Sequence, residues 1–225
     1  GLIAMTNISS AVLLFSTCMV VLFIGRVPLK FIAMLLIIGG FAGMIAFQFG
    51  QRGGTAVSRI EAFFGDEIPY QAQQGYAAIA TGGLFGKGPG QSDQRNFLPS
   101  AYSDFIYAII IEEYGLLGGI IVIFLYLGLL YRGMKATTHS ETAYGGLLVS
   151  GLVFSIIFQA MINIGVTLGL GPITGVTLPL LSMGGTSQLF FGIAIGMILS
   201  VTQGELSPYP MGVKGNQSKN FERVA

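Results

Sequence analysis

The amino-acid sequence predicts an all-α integral membrane protein of five transmembrane helices with one long extracytoplasmic loop. Three observations carry this. Hydrophobic residues make up 52% of the 225 and charged residues only 9%, where a soluble domain carries about a quarter. The mean hydropathy is +0.74. The apolar residues also gather into five runs close to the ~20 residues a helix needs to cross a ~30 Å hydrocarbon core. Backbone in lipid must satisfy its own hydrogen bonds, and the runs lack the alternation of barrel strands, so each reads as a helix.

The runs cover residues 8–25, 31–49, 105–131, 143–170 and 186–202, in a membrane domain of residues 1–205. Arg26 and Lys30 flank the first connection, and Arg132 and Lys135 lie in the third. Lys214, Lys219 and Arg223 lie in the tail, residues 206–225. The other side has Arg52, Arg59, Lys87 and Arg95, spread over the long loop 51–104, and no cation in 171–185. Cations in short segments mark the cytoplasmic side, which places the tail inside and the long loop outside. Between the fourth and fifth runs, Pro172 and Pro179 with Gly171, Gly175, Gly184 and Gly185 predict irregular backbone, which must line protein or water. The chain opens on Gly1 and has no charged n-region, so no signal peptide is expected and a longer parent protein is.

Composition also excludes function classes. A net charge of +1 argues against a nucleic-acid partner. Lone Cys18 rules out a disulfide framework, and lone His139 leaves no Cys/His metal spacing. Pairs such as Gly115/Gly119, Gly165/Gly169 and Gly192/Gly196 have the small-xxx-small spacing of close helix packing. The run Gly82-Gly83-Leu84-Phe85-Gly86-Lys87-Gly88 fails as a phosphate loop, because Gly88 stands where Ser or Thr is required. It reads as a tight re-entrant turn.

Three carboxylates stand out. Asp104 enters the third run and is either a helix N-cap or a functional acid. Glu112 and Glu113 lie within that run, where an ionised side chain costs about 3 kcal/mol and faces a cavity or a partner. Glu112 lies about 12 Å further along the helix than Asp104 and about 80° around it. A cavity open to the outside would hold both, or the two glutamates are structural. Gln159, Asn163 and Gln188 read as interhelical hydrogen-bonding amides.

Taken in order, several stretches resemble the SEDS family, the FtsW, RodA and SpoVE group of bacterial shape, elongation, division and sporulation proteins. Asn7-Ile8-Ser9-Ser10-Ala11 is similar to the family's entry to a mid-chain helix. Tyr70-Gln71, Gly82-Gly83 and Gly86-Lys87-Gly88 follow its outer loop, and Leu98-Pro99 with Asp104-Phe105-Ile106 its LPE-x-HTDFIFA stretch. Glu112-Glu113-Tyr114-Gly115 matches EE-x-G. Asn163-Ile164-Gly165-Val166, Pro172, Thr174-Gly175, Leu178-Pro179, Ser182 and Gly184-Gly185 match its NIGV…P-x-TG…LP…S-x-GG signature. Ser100, Tyr102, Ser103 and Tyr107 replace the usual Glu, His, Thr and Phe, which removes any imidazole role beside the aspartate.

The resemblance implies the second half of a ten-helix bundle in the bacterial cytoplasmic membrane, nearer the division branch than the elongation branch. It implies a peptidoglycan glycosyltransferase that polymerises lipid II at the outer membrane face, partnered by a class B penicillin-binding protein of the division or elongation machinery. Asp104 is then the general base. Arg52, Arg59 and Lys87 would meet the leaving diphosphate, Gly86 and Gly88 would let backbone approach phosphate or sugar, and Ser182 would join the substrate site. Glu112 would tune Asp104 or hold a divalent cation, Mg or Mn. The rival classes are a lipid II flippase and a non-catalytic scaffold for a transpeptidase. Five helices of ten leave a cavity half walled, so the chain alone is expected to be inactive.

Overall fold

The computed structural model describes residues 3, 8–49, 53–65, 69–98, 102–140 and 142–204. Each apolar run folds as a helix, the third with a break inside it: α1 (Ile8–Ile24), α2 (Leu29–Phe49), α5 (Ile106–His139, broken at Gly115), α6 (Ala143–Thr167) and α7 (Gly185–Gly204). Among the described residues there is no strand. Ile106–His139, Ala143–Thr167 and Gly185–Thr202 are long and apolar enough to cross a bilayer, while Ile8–Ile24 and Leu29–Met44 are apolar but shorter.

The boundaries that differ from expectation have local causes. Helix α2 starts two residues early because Pro28, with its fixed φ, opens the first turn and its carbonyl accepts from Phe31 N at 2.9 Å. Helix α5 runs past Tyr131 to His139, since Arg132 and Lys135 are good helix formers and Thr137 and Thr138 bond back to Gly133 O and Lys135 O. Helix α6 is capped by Thr142, whose Oγ1 accepts from Gly145 N at 3.1 Å. It stops at Thr167 rather than 170. Gly169 takes φ +80°, Leu170 N donates to Gly165 O and Gly169 N to Val166 O, which is a Schellman stop.

The segment 51–104 is not a simple loop. It contains α3 (Gly53–Phe64), α4 (Tyr70–Gly82) and a 3-10 turn, Gln94–Asn96. Helix α4 turns its small residues, Ala72, Gly75, Ala78 and Gly82, inward and packs on α5. Helix α6 is central, touching α1, α5 and α7, around a core of Tyr107, Ile111, Val149, Val153 and Ile156. Phe23, Ile37, Phe41, Leu125 and Phe190 face outward, as suits a lipid solvent. Close approach of α5 to α6 rests on Gly133, whose missing Cβ makes room for Val153. Of the glycine pairs singled out in the sequence, Gly165, Gly192 and Gly196 face no described atom within 4 Å and Gly115 opens a helix, whereas a Cβ on Gly169 would meet Tyr76 of α4 and one on Gly119 would meet Tyr107 and Ile111.

Candidate active site at the start of helix α5

Asp104 is partly exposed, in the turn that enters α5. It does not cap the helix, which corrects one reading of the sequence. Phe105 occupies the N-cap position, with no side-chain capping bond, and its carbonyl accepts from Ala108 N and Ile109 N. The Phe105 ring is buried with Leu98, Ile109 and Ile173, so burial of the phenylalanine turns its neighbour outward. Asp104 Oδ1 accepts from Ser103 Oγ at 3.0 Å, and a Cβ on Gly175 would lie 3.7 Å from Oδ2. The two ion pairs among the described residues are both elsewhere.

Glu112 has the opposite setting. It is 0% exposed and shares no cavity with Asp104. Lys87 Nζ donates to its Oε1 at 2.7 Å, Ser92 Oγ to Oε2, and Asp93 N to Oε1 at 3.2 Å. Thr81 Oγ1 stands 3.5 Å away. These donors fill the carboxylate, so the residues around Glu112 do not fit a metal, and no group of three or more His, Cys, Asp or Glu side chains among the described residues offers one elsewhere. Lys87 is therefore not a free cation awaiting a diphosphate. Its ammonium also pairs with Asp93 at 2.9 Å, and the two carboxylates, Glu112 first, hold its pKa above the usual 10.5.

The glycines beside Lys87 explain why the lysine is there. Helix α5 is broken at Gly115, which has φ 73° and ψ −175°. In an unbroken helix, the N–H groups of residues 116 and 117 would bond to the carbonyls of 112 and 113. Here Leu116 N donates to Gly83 O at 2.9 Å and Leu117 N to Leu84 O at 3.4 Å. The freed carbonyls of Glu112 and Glu113 accept from Lys87 N and Gly88 N, each at 2.9 Å. Four groups that would have paired along the helix pair with the loop instead. Backbone meets backbone so closely that a Cβ on Gly86 would overlap the Glu113 carbonyl, and one on Gly115 the Leu84 carbonyl. Gly86 and Gly88, at φ +79° and +111°, thus serve this interlock.

Arg59 and Ser182 part company. Arg59 is exposed on α3, donates from Nη1 to Ile173 O at 3.2 Å and lines a cavity of about 530 Å³ with Phe63, Tyr76 and Pro172. The same 171–176 segment that walls this cavity brings Gly175 to Asp104. Ser182 is buried, 3% exposed. Its Oγ donates to Ser103 O at 2.6 Å and accepts from Leu178 N at 2.7 Å, so it grips the Asp104 segment and is not open to substrate. Arg52 and the tail, 205–225, lie outside the described residues. Asn163, read from sequence as an interhelical amide, instead binds main chain: Nδ2 donates to Asp104 O and Val176 O, each at 2.7 Å.

Residues 1–206 match the model of the FtsW, RodA and SpoVE cell cycle proteins. The chain belongs to this family. It is 36% identical over 205 residues to stage V sporulation protein E of Bacillus subtilis, covering 88% of this chain and 55% of the relative. It is 45% identical over 137 residues to the probable peptidoglycan glycosyltransferase FtsW of Hydrogenovibrio crunogenus, covering 59% and 35%. A solved structure, "Structural coordination of polymerization and crosslinking by a peptidoglycan synthase complex", matches with a TM-score of 0.66 at 24% identity, over 88% of this chain and 56% of that one. That likeness shows the fold. The chain spans about half the length of the curated relatives that match most of it.

Proposed function

We propose that this SEDS chain carries the catalytic end of a peptidoglycan glycosyltransferase that polymerises lipid II, with Asp104 as general base. The observation that carries the reading is the contrast between the two acids. Glu112 is enclosed and neutralised by Lys87, whereas Asp104 is partly exposed and unpaired with any cation among the described residues. The 4-hydroxyl of one disaccharide attacks the anomeric carbon of the next, and the bond to the lipid diphosphate breaks. Asp104 takes the hydroxyl proton, and a diphosphate leaves without a strong acid, so one carboxylate suffices. Arg59, exposed beside the 171–176 segment, supplies positive charge toward the leaving group. A divalent cation, Mg or Mn, would arrive with the diphosphate, since the carboxylates among the described residues do not assemble a site for it.

The orientation belongs to the same proposal. Asp104 lies at one end of α5 and Arg132 and Lys135 near the other, about 40 Å apart at the helical rise. Cations in the short connections assign the Arg132 end to the cytoplasm, which leaves Asp104 at the outer surface, where lipid II presents its sugars. Relatives named as peptidoglycan glycosyltransferases FtsW support the activity, and the fold match to a complex that couples polymerization to crosslinking supports a crosslinking partner, which we take to be a class B penicillin-binding protein of the division machinery. The test is lipid II polymerisation by the complete protein with its partner, read as glycan strands on a gel. Asp104→Asn is expected to abolish strands while expression and melting stay unchanged; strand synthesis at a near-normal rate would remove the base from Asp104.

A further inference from the structure

The turn that carries Asp104 is held in an unusual way. Its three consecutive carbonyls, of Tyr102, Ser103 and Asp104, lie before α5 and each accepts from a different donor outside that helix. Met183 N donates to Tyr102 O at 2.8 Å, Ser182 Oγ to Ser103 O at 2.6 Å, and Asn163 Nδ2 to Asp104 O at 2.7 Å. Two of the three donors are buried side chains, Asn163 at 2% and Ser182 at 3% exposure. Each also holds a second piece of the irregular segment before α7, Asn163 through Val176 O and Ser182 through Leu178 N. Among the described residues the carboxylate above this grip accepts one hydrogen bond, from Ser103 Oγ.

We propose that Asn163 and Ser182 are positioning residues, which fix the Asp104 carboxylate for proton abstraction by clamping the main chain beneath it. The cost that Asn163 tolerates supports this. Its Oδ1 is buried with no partner, and rotating the amide would set that oxygen against two carbonyl oxygens. A residue selected for packing alone would be apolar and leave no acceptor unpaired. The amide is retained for its two donors. A base displaced by about 1 Å loses roughly 100-fold in rate without losing substrate affinity, so the clamp acts on turnover.

The inference rests on Asp104 being the base, and the experiment separates the two. Steady-state lipid II polymerisation is measured for the complete protein with its partner, in Asn163→Ala, Asn163→Asp, Ser182→Ala, Ser182→Thr and Asp104→Asn, with melting temperatures recorded for each. Asn163→Ala and Ser182→Ala are expected to lower kcat by roughly 100-fold with KM nearly unchanged, and Ser182→Thr, which keeps the hydroxyl, to recover most of it. Asn163→Asp also lacks the donors and sets a second oxygen against the two carbonyls, so it should lower kcat as Asn163→Ala does and melt lower; the Ser182→Ala and Ser182→Thr pair carries the test should neither Asn163 variant fold. An inactive Asp104→Asn beside normal kcat in folded Asn163→Asp or Ser182→Ala overturns the clamp alone. So does a Ser182→Thr variant no faster than Ser182→Ala, or a loss confined to KM. An active Asp104→Asn removes the base assignment and the clamp's purpose with it.

Discussion

Replacing Lys87 with methionine removes the ammonium that faces a carboxylate with no exposure of its own. Leaving such a charge uncompensated is far worse than losing both charges together. The Lys87→Met protein is therefore expected to melt well below the wild type, and Lys87→Met with Glu112→Gln to melt higher than the single variant; equal melting of wild type and single variant would refute the pair's importance. The sign with pH follows from the raised pKa of Lys87. Its stabilisation is complete below the usual 10.5 and disappears as pH rises through the higher folded value. On the Lys87 side, the melting gap between wild type and Lys87→Met should thus persist below 10.5 and close only above it. At this scale the sequence revealed the acids but not their partners. Glu112 announces itself by sitting in an apolar helix, yet nothing local names Lys87, 25 residues earlier, as the group that neutralises it.

Helix α5 reads in sequence as one apolar span, and its break at Gly115 is invisible to hydropathy because Leu116, Leu117 and Ile120 continue the pattern. The break exists only with its loop. Gly115→Ala and Gly86→Ala are each expected to cost at least about 2 kcal/mol, from positive φ together with the backbone collisions described above, seen as lower melting temperature and faster proteolysis between α4 and α5. Wild-type melting in either would mean the loop does not occupy the break. At the far end of the same helix pair, Thr142→Ala removes a cap and should cost about 1 kcal/mol. The long apolar helices α5, α6 and α7 were readable within a few residues, apart from the polar extension of α5, because lipid demands an apolar run and hydropathy finds it. Helices α3 and α4 were not, since twelve and thirteen residues rich in glycine, alanine and glutamine carry neither that length nor that signal.

For the molecule as a whole, the orientation proposed above has a direct check. With Cys18 replaced by serine, a cysteine at exposed Gln91 should react with an impermeant maleimide on intact spheroplasts, and one at exposed Thr138 only after permeabilisation; the reverse pattern would invert the protein. Fold class was readable from composition, and the place of Asp104 at the entry to α5 from its position at the start of the third apolar run. The grip on its backbone was not, because Asn163 and Ser182 stand 59 and 79 residues away from the carbonyls they hold. The interlock between residues 83–88 and 112–117 has a further meaning for anyone recombining this protein with a relative. The two stretches exchange main-chain hydrogen bonds across a gap of some thirty positions, so neither is a free cassette. A hybrid that imports one and keeps the other inherits mismatched halves of a single joint, whereas moving both at once transplants a working part.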